Sequence, residues 1–143
     1  MKIFNKILVL LLAIGFTACG ENTSVSYDGP SLVEFPLAAT TVDEGAGATT
    51  IRTQLVGPHE ATDLNVTFEV DEASTAVAGT HYTLTTNGSF TIPANSSFGD
   101  IELTIADGTL ASDETVTLII NLTGGDLIPS ENYKTHTLTI DGQ

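Results

Sequence analysis

Residues 115–123 read Thr-Val-Thr-Leu-Ile-Ile-Asn-Leu-Thr. In an extended chain successive side chains point to opposite faces. Val116, Leu118, Ile120 and Leu122 therefore share one face, and Thr117, Ile119, Asn121 and Thr123 share the other. A helix would spread those four apolar residues around its circumference, so the period of two predicts a strand with one face built for a core.

The same alternation recurs on both sides of this stretch. It places Ile51 and Leu55 in phase within 49–56, Val66, Phe68 and Val70 within 64–70, and Phe90 and Ile92 within 89–92. It does the same for Ile101, Leu103 and Ile105 within 101–106, and for Leu138 and Ile140 within 135–140. A further candidate, Val33–Val42, is interrupted by Pro36. Turn residues separate these stretches, and none of the intervals has helical periodicity. After Cys19 there are 22 threonines. Many alternate with the apolar set, which suits a solvated sheet face and not a disordered stalk. The expectation is an all-β, immunoglobulin-like antiparallel β-sandwich of about seven strands over residues 33–143, with 82–88 crossing between the sheets.

Composition narrows the function. The chain has 143 residues, 4 Lys and Arg, 18 Asp and Glu, and a formal charge of -14. Too few cations are present to neutralise phosphates, which argues against nucleic acid. Lys2 and Lys6 precede an apolar run from Ile7 to Phe16, followed by Thr17-Ala18-Cys19-Gly20. That run falls short of the roughly 20 residues a membrane-crossing helix needs, and it reads as a signal peptide. The pattern resembles the bacterial lipoprotein signal, which implies lipid on Cys19 after removal of 1–18. Residues 19–32 then form a linker. The mature chain keeps Arg52 and Lys134 against 18 acids, a charge of -16. The expected location is the bacterial cell envelope, lipid-anchored and at the outer membrane.

Strands that alternate in direction bring every second junction to the same end of the sandwich. That parity gathers Asp43, Glu44, Asp71, Glu72, His81, Asp107, Asp113, Glu114 and Asp141 into one acidic pole. The opposite end carries 57–63, 93–100 and 124–134. The chain enters the first strand from that second end, so the tether is expected to leave away from the acids.

The pieces Val42-Asp43-Glu44-Gly45, Ala76-Val77-Ala78-Gly79-Thr80-His81-Tyr82, Gly88-Ser89-Phe90-Thr91-Ile92-Pro93-Ala94, Ile105-Ala106-Asp107, Asp113-Glu114-Thr115 and Thr139-Ile140-Asp141 occur in that order. Together they resemble the Calx-beta domain and its relatives in bacterial lipoproteins. The resemblance implies a calcium cofactor, with ligands falling on Glu44, His81, Asp107, Asp113 or Glu114, and Asp141. Two features depart from it. His81 stands where calcium-binding members carry Asp, and the acidic run after the fifth strand is reduced to Ala106-Asp107-Gly108. Calcium wants 6–8 oxygen ligands. A solvated acidic pole that attracts cations loosely is the other reading of the same residues.

Catalytic patterns are missing from the sequence. No two histidines have the helical i, i+4 zinc spacing, no G-x-S-x-G elbow occurs, and no lysine follows the glycine pairs to cradle phosphate. The expectation is a non-enzymatic envelope protein presenting one module for adhesion, structural support or recognition of an extracellular protein or glycan. Two alternatives are a calcium-binding module and an accessory glycan binder of a polysaccharide uptake system. Tyr27 and Tyr133 are the aromatic candidates for the latter, Trp being absent.

Overall fold

A computed structural model describes residues 27–143. The predicted signal peptide and Cys19 lie outside the described residues. The strands are β1 (Leu32–Glu34), β2 (Ala39–Asp43), β3 (Gly47–Val56), β4 (Leu64–Val70), β5 (Tyr82–Leu84), β6 (Ser89–Ile92), β7 (Phe98–Ile105), β8 (Thr115–Gly125), β9 (Ile128–Pro129) and β10 (Thr135–Asp141). One sheet has the order β5-β7-β3-β1-β9, and the other β2-β10-β8-β4-β6. They form an all-β, immunoglobulin-like sandwich.

The core is where the alternation placed it. Val116, Leu118, Ile120 and Leu122 are all buried, as are Ile101, Leu103 and Ile105 across from them and Leu138 and Ile140 beside them. One inward position is polar. Thr53 lies between Ile51 and Leu55, is fully buried, and donates its hydroxyl to the Gly99 carbonyl at 2.9 Å. That bond removes the penalty of burying the oxygen.

The number and direction of the strands differ from expectation. All seven stretches form strands, but Val33–Val42 is two strands in different sheets. Pro36 has no N–H and a fixed φ, so it cannot continue a ladder. The chain leaves β1 there and joins the other sheet as β2, parallel to β10, with Thr137 opposite Ala39 and Asp141 opposite Asp43. β1 also pairs in parallel with β9. The sandwich thus has ten strands and is not wholly antiparallel. Of the 82–88 crossover, Tyr82–Leu84 is itself a short strand on β7, and only the residues after it pass to the second sheet.

Candidate functional site

Six of the predicted acids stand at one end of the sandwich. Asp43 closes β2, Asp141 closes β10 opposite Thr115, and Asp107, Asp113 and Glu114 lie in the connection from β7 to β8. Main-chain bonds tie these junctions together. The Glu44 N–H donates to the Asp141 carbonyl at 2.7 Å, Gly45 N–H to Ala106 at 2.8 Å, and Gly142 N–H to Glu114 at 2.9 Å. Gly45 has φ +75°, and a Cβ there would come within 3.0 Å of an Asp107 carboxylate oxygen. Asp107 therefore packs over the Glu44–Gly45 turn.

Glu44 is buried, unlike most of its acidic neighbours. Its Oε1 accepts the Thr109 N–H, the Thr109 hydroxyl at 2.7 Å and the Leu110 N–H at 2.8 Å. The Thr109 hydroxyl, then the two amides, hold the Glu44 carboxyl below its ordinary range against the opposing effect of burial, with the nearby His81 helping. Glu44 thus clamps the turn that carries Asp107. The Glu114 carboxylate is also engaged, accepting the Ala111 N–H at 3.3 Å. His81 presents Nδ1 to the Val77 N–H at 2.8 Å, so that nitrogen acts as an acceptor within its own loop. Asp113 sits exposed in the turn.

Asp71 and Glu72 are not at this pole. β4 stops at Val70, opposite Ile120, while β8 reaches the pole only at Thr115. Asp71 hydrogen-bonds the Asn121 side chain at 2.7 Å, which is about 20 Å along β8 from Thr115. The following residues stay on the edge of β8 but replace ladder groups with hydroxyls: Ile119 N–H donates to Ser74 Oγ and Thr117 N–H to Thr75 Oγ1. Parity alone could not show that this junction is stretched along a neighbour.

The opposite pole collects the junctions expected there. Leu55 N–H meets the Ser97 carbonyl, Asn95 N–H the Glu60 carbonyl and Asp126 N–H the Asn65 carbonyl. Leu32 pairs with Val56 at this end, so the described chain approaches from the pole remote from Glu44.

The exposed aromatic side chains are not limited to the tyrosines. Tyr27 bends back to donate its hydroxyl to the Pro30 carbonyl, and Tyr133 stands exposed with its main chain holding Phe35. A third exposed aromatic, not singled out from the sequence, is Phe98, which is 47% exposed on β7. Arg52 on β3 stacks over its ring at 5.4 Å and is gripped by Asp100 at 3.1 and 3.4 Å. The signal was in the alternation: Phe98 is in phase with Glu102 and Thr104, the outward set, and out of phase with Ile101 and Leu103.

No protein-family model matches the chain, and no curated protein sequence matches it. Solved structures do. The apo-form Calx CBD1 domain superposes with a TM-score of 0.64 at 19% identity, covering 80% of this chain and 99% of that one. CBD12 from CALX1.2 gives 0.64 at 20% identity, and the calcium binding domain CBD12 of CALX1.1 gives 0.60 at 21%. Both are matched over 78% of this chain, which spans 44% of their length. A Bacteroides ovatus protein proposed to bind carbohydrate gives 0.59 at 9% identity, covering 77% of this chain and 36% of that one. The sandwich has a Calx-beta-like fold.

Among the described residues no three of His, Cys, Asp and Glu converge closely enough to hold a metal ion. Of the two oxygens of Glu44, a residue the resemblance assigns to calcium, Oε1 faces two amide N–H groups, whose positive ends oppose a cation at that spot.

Proposed function

We propose that this chain is a non-enzymatic binding module of the bacterial cell envelope, held by lipid on Cys19 and presenting its sandwich for adhesion, structural support or recognition of an extracellular partner. The observation that most directly supports a metal-independent module is the use of Glu44. Glu44, one of the carboxylates the resemblance assigns to calcium, closes its own loop through three hydrogen bonds. The pole lies at the end of the sandwich remote from the one at which the described chain arrives. A charge of -16 on the mature chain repels anionic lipid headgroups, so a domain on a lipid tether stands off the surface.

A second reading, calcium-dependent rigidification, is favoured by the calcium binding domain among the structural neighbours and by the six acids gathered at the pole. The two are separated by thermal melting of the full chain in calcium chloride and in sodium chloride at matched ionic strength. A ligand that binds only the folded state raises Tm with its concentration. Equal melting in both salts supports the metal-independent module, and a calcium-specific rise overturns it. Envelope presentation is tested by Cys19→Ser. The variant is expected to leave the membrane fraction, and one that stays there overturns the lipid anchor. Cleavage of the wild-type domain by protease added to intact cells is the expected sign of outward display.

A further inference from the structure

Arg52, Phe98 and Asp100 form a ledge on the outer face of the β7–β3 pair. Arg52 and Asp100 are direct cross-strand partners, and Phe98 stands two residues along β7 opposite Gln54. The guanidinium lies over the ring, yet Phe98 keeps nearly half its surface in solvent. The guanidinium thus takes up one side of the ring and leaves the rest of it open to solvent. What sets Phe98 apart from the other exposed hydrophobic side chains is that it borders a cleft, where a ligand could pack against it.

The ledge borders a cleft of about 470 Å³ lined by Thr86, Ser89, Thr91, Asp100 and Glu102 together with Phe98. The volume falls within the roughly 300–1,000 Å³ of small-molecule sites. The cleft exists because β5 is short: it covers β7 only from Leu103 to Ile105, and leaves the Phe98 end open beside the edge strand β6. Gly99 makes the close approach of β7 to β6 feasible, since a Cβ there would come within 2.8 Å of both Ile92 and Phe90. The floor is therefore packed and the walls are hydroxyls and carboxylates.

We infer that this cleft is a carbohydrate site for uncharged sugars, with Phe98 stacking on the C–H face of a ring and the hydroxyls of Ser89 and Thr91 and the carboxylates of Asp100 and Glu102 hydrogen-bonding its hydroxyl groups, while Thr86 is held by the Glu102 main chain. The electron-rich face of an aromatic ring attracts the weakly positive C–H groups of a sugar. Vicinal hydroxyls need both donors and acceptors, which serine, threonine and carboxylates supply. Charge selects among glycans. Arg52 is matched by Asp100, Glu102 adds a further negative charge, and the mature chain carries -16, so uronate-rich or sulfated polymers are repelled. This assignment rests on the reading of the chain as a binding module and names its partner class.

The test uses the full chain in detergent, run by affinity electrophoresis through gels containing starch, xylan, mannan or the anionic polymer alginate. Retardation by at least one of the three uncharged polymers, and none by alginate, is expected. Phe98→Ala should weaken that retardation about tenfold or more, the scale of removing one contact anchor, while Phe98→Tyr keeps it. Phe98 is exposed enough that both variants should melt with the wild type, and Glu102→Gln provides an independent probe of the wall. No retardation by any uncharged polymer overturns the assignment, and so does retardation that survives Phe98→Ala. Either failure leaves the module reading standing if protease still reaches the domain on intact cells. A Cys19→Ser variant that stays in the membrane fraction overturns the lipid-anchored module reading whatever the cleft binds.

Discussion

Glu44 and His136 show two ways in which a single titratable side chain is tied into this sandwich. The Glu44 carboxyl sits below its ordinary value of 4.5 because Thr109 and Leu110 hydrogen-bond its charged form. Its contribution is present above the unfolded value and is lost as the pH falls below 4.5 through the folded value. Glu44→Gln should therefore flatten the acid limb of a Tm-versus-pH curve and speed proteolysis within 107–113 at neutral pH. Unchanged cleavage would show that the clamp does not hold the turn. His136 is buried beside Phe35, donates Nδ1–H to the Leu37 carbonyl at 2.7 Å and accepts from Thr40 at 2.9 Å through Nε2. A carbonyl can only accept, which settles the tautomer as protonated on Nδ1. Burial pushes the imidazole below its ordinary 6.5, although the Leu37 bond opposes this, and Arg52 lines the same small cavity. The unfolded chain then takes up a proton before the folded one. Stability falls as pH drops below 6.5, by at most about 1.4 kcal/mol per pH unit. Melting between pH 7 and 5 should show this slope in the wild type, and a shallower one in His136→Gln, whose amide can still donate to Leu37.

At the scale of elements, β8 carries the sandwich, pairing with β10 on one side and β4 on the other. Leu118 at its centre is fully buried, and Leu118→Ala should cost ~2–5 kcal/mol in urea unfolding. Where β8 meets β4 the register shifts at Thr67/Phe68, and Gly125 lies there at φ +103° with its Cα against the Asn65 carbonyl. Gly125→Ala meets both a strained backbone and a carbonyl oxygen, and should cost more than ~1 kcal/mol. Gly47, at φ +69° with open space around it, is the control. Gly47→Ala should be the milder change, and equal losses would contradict the close approach. The strand faces were legible in sequence because burial of one face repeats every second residue, which is local information. The division of 33–42 between two sheets was marked by Pro36, but its destination depends on β10, almost a hundred residues later. The short β5, which opens the cleft at Phe98, has no signature in its own residues.

Across the whole molecule the charge is the dominant feature. Six acids share one pole, and the described residues hold only two Lys or Arg, each already paired: Arg52 with Asp100 and Lys134 with Glu131. Like charges at this density strain the compact state, so raising sodium chloride from 0.05 to 0.5 M should raise Tm, on the order of 1 kcal/mol or about 4 °C. A fall in Tm would mean that the two ion pairs outweigh the repulsion. By itself the sequence determined the all-β class, the inward face of each long strand and the gathering of acids at one end, because periodicity and strand direction follow from neighbouring residues. Only the tertiary structure decided that Asp71 and Glu72 stand apart from the pole, that Glu44 serves its own loop, and that Phe98 faces an open cleft. Each depends on hydrogen-bond and packing partners supplied by distant segments, and no local pattern encodes which partner will be there.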